Sequence, residues 1–94
     1  MTARTVRAVI KGKVQGVWYR GWTVETARRL GLLGWVRNRG DGSVEALFHG
    51  AGDTVAEMIE ACHRGPPAAR VLRIDVTDVP VPGDLTGFEQ RPSA

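Results

Sequence analysis

The hydrophobic period of this chain switches repeatedly between that of a strand and that of a helix, and the order of the switches leaves few folds open. Thr5 to Val14 alternates: Val6, Ala8 and Ile10, with Gly12, point one way, and Arg7, Lys11 and Lys13 the other. That is the mark of a half-buried strand, although Val9 interrupts its polar face. From Gly21 to Leu32 the period lengthens. Trp22, Thr26 or Ala27, and Leu30 share one helical face, Glu25, Arg28 and Arg29 another, and Gly31 is the expected stop. Trp35 to Asn38 and Ser43 to His49 flank Arg39-Gly40-Asp41-Gly42, a β-hairpin pattern with Val44, Ala46 and Phe48 on one face. Asp53 suits a helix N-cap. Val55, Met58, Ile59 and Cys62 then follow at helical spacing until Gly65-Pro66-Pro67. Val71 to Thr77 reads as a strand with Leu72, Ile74 and Val76 facing inward. Phe88 anchors a short last strand, and the tail after Pro92 is expected to be mobile.

The order β-α-β-β-α-β predicts an α+β fold of the ferredoxin-like split βαβ plan: an antiparallel sheet with two helices on one face. In that plan the third strand lies between the first and second. Those two then run parallel and end at the same edge of the sheet. Val14–Arg20, after the first strand, is thereby brought near Asn38, at the end of the second. With 94 residues the chain has room for one domain (1–94, core about 5–91). Monomer is the expectation for this size.

The segment that reaches this meeting point is GKVQGVWYRG, residues 12 to 21. Its glycines permit a tight turn whose successive N–H groups can face one anion. Arg20 adds a planar, always charged fork. The net charge of +3 is mild and suits a small anion at least as well as a nucleic-acid surface. The single cysteine, Cys62, rules out an internal disulfide and reads as a core residue. The N-terminus lacks a signal-peptide core and no long apolar run is present, so the cytoplasm is the expected location, away from membranes.

Ile10-Lys-Gly-Lys-Val-Gln-Gly-Val-Trp-Tyr-Arg20 resembles the first motif of the acylphosphatase family, a Val-Gln-Gly-Val loop ending in arginine. Gly34-Trp-Val-Arg-Asn38, with Gly42-Ser-Val-Glu45 and Gly50, resembles the second. Gly65-Pro-Pro-Ala-Ala-Arg-Val71 looks like the loop into the family's fourth strand. The likeness runs from about Val6 to Val76. Tyr19 and Gly40 stand where relatives often have phenylalanine and proline, and Gln90 where an apolar residue is common. The resemblance implies hydrolysis of a small-molecule acyl phosphate, without a metal or organic cofactor. It implies catalytic roles for Arg20 and Asn38, and a phosphate-cradling loop of Gln15, Gly16, Val17, Trp18 and Tyr19 leading to Arg20.

The chemistry fits so few groups. An acyl phosphate releases a carboxylate whose conjugate acid has a pKa of about 4, so no general acid is needed at neutral pH. What remains is to hold the phosphoryl group and to place a water in line. Loop amides, the start of a helix and Arg20 meet the first need. The amide of Asn38 meets the second, the proton passing to the substrate's own phosphate oxygen or to solvent. Tyr19 and Trp18 are expected to pack and shape the loop, with Trp18 also placed to flank the acyl group.

Other readings are weaker. His49 and His63 are lone surface histidines without partners at metal-ligand spacing. Asp41 belongs to the hairpin turn and Glu45 to the strand surface. Gly12-x-x-x-Gly16 lacks the Gly-Lys-Ser/Thr of a Walker loop. RNA-recognition domains share the element order, but they need two or three exposed aromatics on the third strand. Here that strand has only Phe48, on the core face. A regulatory domain that binds an anion without turnover would not need Asn38.

Overall fold

A computed structural model describes residues 2–94. The elements are β1 (Ala3–Lys13), α1 (Tyr19–Arg29), β2 (Leu33–Asn38), β3 (Val44–Ala51), α2 (Gly52–Arg64), β4 (Arg70–Asp78) and β5 (Phe88–Gln90). They form one five-stranded sheet in the order β4-β1-β3-β2-β5. Three of its four pairings are antiparallel, and β5 runs parallel to β2. The expected split βαβ topology is present, with β3 between β1 and β2. Both helices pack on one face. Val6, Ala8 and Ile10 of β1 and Val44, Ala46 and Phe48 of β3 meet Ala27 of α1 and Val55, Met58 and Cys62 of α2 in the core. Phe88 brings β5 into that core by stacking on Phe48, with ring centroids 5.6 Å apart.

Several local expectations need correction. Helix α1 begins at Tyr19, not Gly21, so Arg20 lies in its first turn rather than ahead of it. Its buried face is Tyr19, Thr23, Thr26 and Ala27, while Trp22 and Leu30 lie at the margin. Gly31 does end the helix: φ is 74°, and Leu32 N–H returns to the Ala27 carbonyl and Gly31 N–H to that of Arg28, the Schellman pattern. Asp53 is not the N-cap of α2. The helix starts at Gly52 directly on the end of β3, and the Asp53 carboxylate sits inside the first turn, accepting from Thr54 N–H.

The inward set of β4 is also different. Gly12 pairs with Val71 and Lys11 with Arg73, so Leu72 is an extra, unpaired residue. This bulge resets the alternation. Val71 and Ile74 pack on the core, Leu72 is 83% exposed, and Val76 is exposed at the sheet margin. Nor does the tail wander from the sheet. Arg91 N–H donates to Val36 O and Ala94 N–H to Asn38 O, continuing alongside β2.

The face without helices holds the other surprise. Glu45, expected at the surface, is 4% exposed. It accepts hydrogen bonds from Arg7 on β1 and from Arg37 on β2. Burial works to raise its carboxyl, but the hydrogen bonds and charges of Arg37 and Arg7 prevail and hold it below the usual carboxylate range. Trp35 is buried beside it under the guanidinium groups of Arg37 and Arg91, 4.9 and 5.2 Å from the ring. Long arginine side chains thus shelter apolar surface that helices would cover elsewhere. His49 is half-buried on the same face and shares a 2.7 Å hydrogen bond with Thr5.

Candidate active site

Residues 14–18 connect β1 to α1, and the chain reverses there through two left-handed residues. Gly16 has φ 73° and Trp18 φ 66°. An added Cβ on Gly16 would meet nothing within 4 Å, so glycine is needed there for its positive φ and not for space. Space is the issue at Gly21, where a Cβ would lie 2.1 Å from Trp18 Nε1. The exposed indole of Trp18 therefore folds back over the first turn of α1.

Two tethers hold this loop. The Gln15 side chain donates to the carbonyls of Arg39 and Ser43, at 2.8 and 2.9 Å, across the β2–β3 turn. Asp41 braces that turn by accepting from Ser43 N–H and from the Ser43 hydroxyl. These bonds, the hydroxyl's first, draw the Asp41 carboxyl below its ordinary range. At the other end Tyr19 is 1% exposed, and its hydroxyl donates to Cys62 O at 2.7 Å. Burial pushes the phenol far above its ordinary pKa and the Cys62 thiol up to about 12. Neither is a nucleophile at neutral pH.

Among the described residues, the backbone N–H groups of Gln15, Gly16, Val17 and Trp18 meet no backbone carbonyl. Those of Tyr19 and Arg20 are free because they begin a helix, whose positive end is directed the same way. Arg20 forms no ion pair among these residues, whereas Arg4, Arg7, Arg37, Arg73 and Arg91 all do.

Arg20 faces a cavity of about 190 Å³ that Gly16, Trp18 and Gly21 line from the loop and helix, with Val14 and Tyr19 beneath. Asn38 and Gln90 close its far side from the ends of β2 and β5. Asn38 Oδ1 is buried and has no hydrogen-bond partner among the described residues. A buried acceptor left unpaired costs roughly 1–3 kcal/mol. The cavity therefore combines unengaged donors and a guanidinium on one side with an unsatisfied acceptor on the other.

Of the residues singled out from sequence, Gly16, Trp18, Tyr19, Arg20 and Asn38 meet at this cavity. The Gln15 side chain is committed to the hairpin, and Gln15 contributes to the loop through its main chain, whose N–H meets no backbone carbonyl among the described residues. The Val17 side chain packs against the core. Gln90 was missed. Counting alternation forward from the core residue Phe88 places Gln90 on the helix face, but only the register of β5 against β2 brings it to Asn38. Among the described residues there is no group of three or more His, Cys, Asp or Glu side chains able to hold a metal ion, and no helix is long and apolar enough to cross a membrane.

A family model described as acylphosphatase matches residues 6–90. The chain is 62% identical over 90 residues to an acylphosphatase of Rhodospirillum rubrum, covering 96% of this chain and 98% of that protein. Among solved structures, an acylphosphatase from Coxiella burnetii superposes with a TM-score of 0.90 at 32% identity, covering 95% of this chain and 93% of that one. An acylphosphatase from Bacillus subtilis gives 0.89 at 32% identity, over 96% and 99%.

Proposed function

This chain belongs to the acylphosphatase family, and from that premise we propose that it hydrolyses the carboxyl-phosphate bond of small acyl phosphates, with Arg20 and Asn38 as its catalytic residues. The observation that carries the residue assignment is the meeting at one cavity of Arg20 and Asn38 Oδ1, the first without an ion pair and the second without a hydrogen-bond partner among the described residues.

In this reading the N–H groups from Gln15 to Arg20 cradle the phosphoryl oxygens and the Arg20 fork takes two of them. Donors already fixed in place need no reorganisation as charge shifts during transfer. Asn38 accepts a hydrogen bond from a water and aims it at phosphorus. The water oxygen bonds to phosphorus, and the bond from phosphorus to the bridging oxygen breaks. Its electron pair leaves on the carboxylate. One water proton passes to a phosphoryl oxygen or to solvent, so RCO–O–PO₃²⁻ and water give RCOO⁻ and H₂PO₄⁻. Trp18, exposed at the mouth, is placed to flank the acyl group. A phosphate monoester would leave as an alkoxide, and nothing at the site can protonate it.

The test is hydrolysis of benzoyl phosphate at neutral pH with EDTA present, by wild type and Asn38→Ala in parallel. Wild type should turn over with the chelator present, and Asn38→Ala should lose ~10²-fold in kcat while inorganic phosphate inhibits it as before. An Asn38→Ala variant with normal kcat would remove Asn38 from the mechanism. Inhibition by EDTA that Mg²⁺ reverses would overturn the metal-free chemistry.

A further inference from the structure

We propose that Gln90 is a second acceptor for the attacking water and acts beside Asn38, an inference that rests on the acyl phosphate reading of this site. A water that attacks phosphorus must turn a lone pair toward it. Before attack its direction is fixed when both of its O–H bonds point to protein acceptors, and one proton leaves to a phosphoryl oxygen or to solvent only as the bond to phosphorus forms. The loop amides and Arg20 are donors only, and so is the Trp18 indole. The Tyr19 hydroxyl is turned away to Cys62 O. Among the side chains lining the cavity, that leaves the amide oxygens of Asn38 and Gln90. Asn38 alone can take one of the two protons.

The register puts Gln90 within reach. It lies opposite Val36 in the parallel β2–β5 pair. Val36 and Asn38 are two residues apart in one strand and share a face. Gln90 and Asn38 are therefore diagonal neighbours on adjacent strands, roughly 7 Å apart at the backbone, a gap that a long side chain spans. In β5 the flanking Glu89 and Arg91 pair with each other, and the Gln90 amide takes part in no hydrogen bond among the described residues. It is exposed, so its replacement leaves the core intact.

The experiment compares wild type, Gln90→Met and Gln90→Glu on benzoyl phosphate. Met keeps the length of the side chain without its acceptor, and should lower kcat roughly tenfold with KM and the phosphate inhibition constant unchanged. The loss is below that for a fully buried positioning group because solvent partly substitutes. Glu keeps an acceptor oxygen, and should hold kcat within about threefold of wild type while raising KM through repulsion of the dianion. In an Asn38→Ala background, Gln90→Met should cost less than it does alone, because both groups act on one water. A Gln90→Met enzyme with wild-type kcat, beside an Asn38→Ala enzyme that has collapsed, would overturn this inference and leave the proposed function standing. An inactive wild type would overturn both.

Discussion

Arg20 forms no ion pair among the described residues, unlike Arg4, Arg7, Arg37, Arg73 and Arg91, and a cation left free at a cavity mouth is free for a substrate anion. Replacing it with glutamine keeps some hydrogen bonding and removes both the charge and the fork. Charge-assisted hydrogen bonds are worth about 1.5–3 kcal/mol each, so Arg20→Gln should weaken inhibition by inorganic phosphate at least tenfold and lower kcat as well. Equal inhibition constants for variant and wild type would remove Arg20 as the anchor. That Arg20 and Asn38 would meet was legible in the sequence, because the order of the elements brings the ends of β1 and β2 to one edge of the sheet. The work of the Gln15 side chain was not. It reaches carbonyl groups 24 and 28 residues away, and no local pattern reports where a side chain finds its acceptor.

At the level of elements, the strand and helix order was readable, but phase within an element was not. The inward set of β4 depends on one inserted residue, Leu72. The bulge that accommodates it has its cause on the neighbouring strand. Gly12 has φ 133°, and a Cβ there would lie 2.1 Å from Arg70 O, a backbone atom that cannot swing aside. Gly12→Ala should therefore destabilise the fold by about 3 kcal/mol, a fall in melting temperature of more than ten degrees at this chain length. Gly16→Ala, with open space around it, should cost only about 1–2 kcal/mol, for its left-handed φ. Thermal unfolding of the two variants side by side checks this ranking, and a Gly12→Ala protein as stable as Gly16→Ala would contradict it. Helix α1 shows the same limit on reading phase. Its stop was marked by Gly31, but its start carries no capping side chain, only the left-handed Trp18, and so it gave no signal in the sequence.

Across the whole molecule the two faces of the sheet are held by different forces, helices on one and an arginine-sheltered carboxylate on the other. The folded pKa of Glu45 is depressed. Its contribution is thus fully present above the unfolded carboxylate value of about 4.3 and is lost as pH falls through the lower folded value. Glu45→Gln should lower the melting temperature at pH 7, by about 2 kcal/mol of stability. The gap to wild type should then close only as pH falls through that depressed folded value, below the ordinary carboxylate range, where the wild-type carboxyl becomes protonated. A gap that stays constant with pH would show that Glu45 contributes shape and not charge. The cavity, for its part, is built from three distant stretches, with Gly16 to Gly21 early in the chain, Asn38 midway and Gln90 near its end. A ribosome making this protein therefore delivers the loop and the asparagine long before the last wall of the pocket, and the growing chain has no complete site until β5 has been released and laid beside β2.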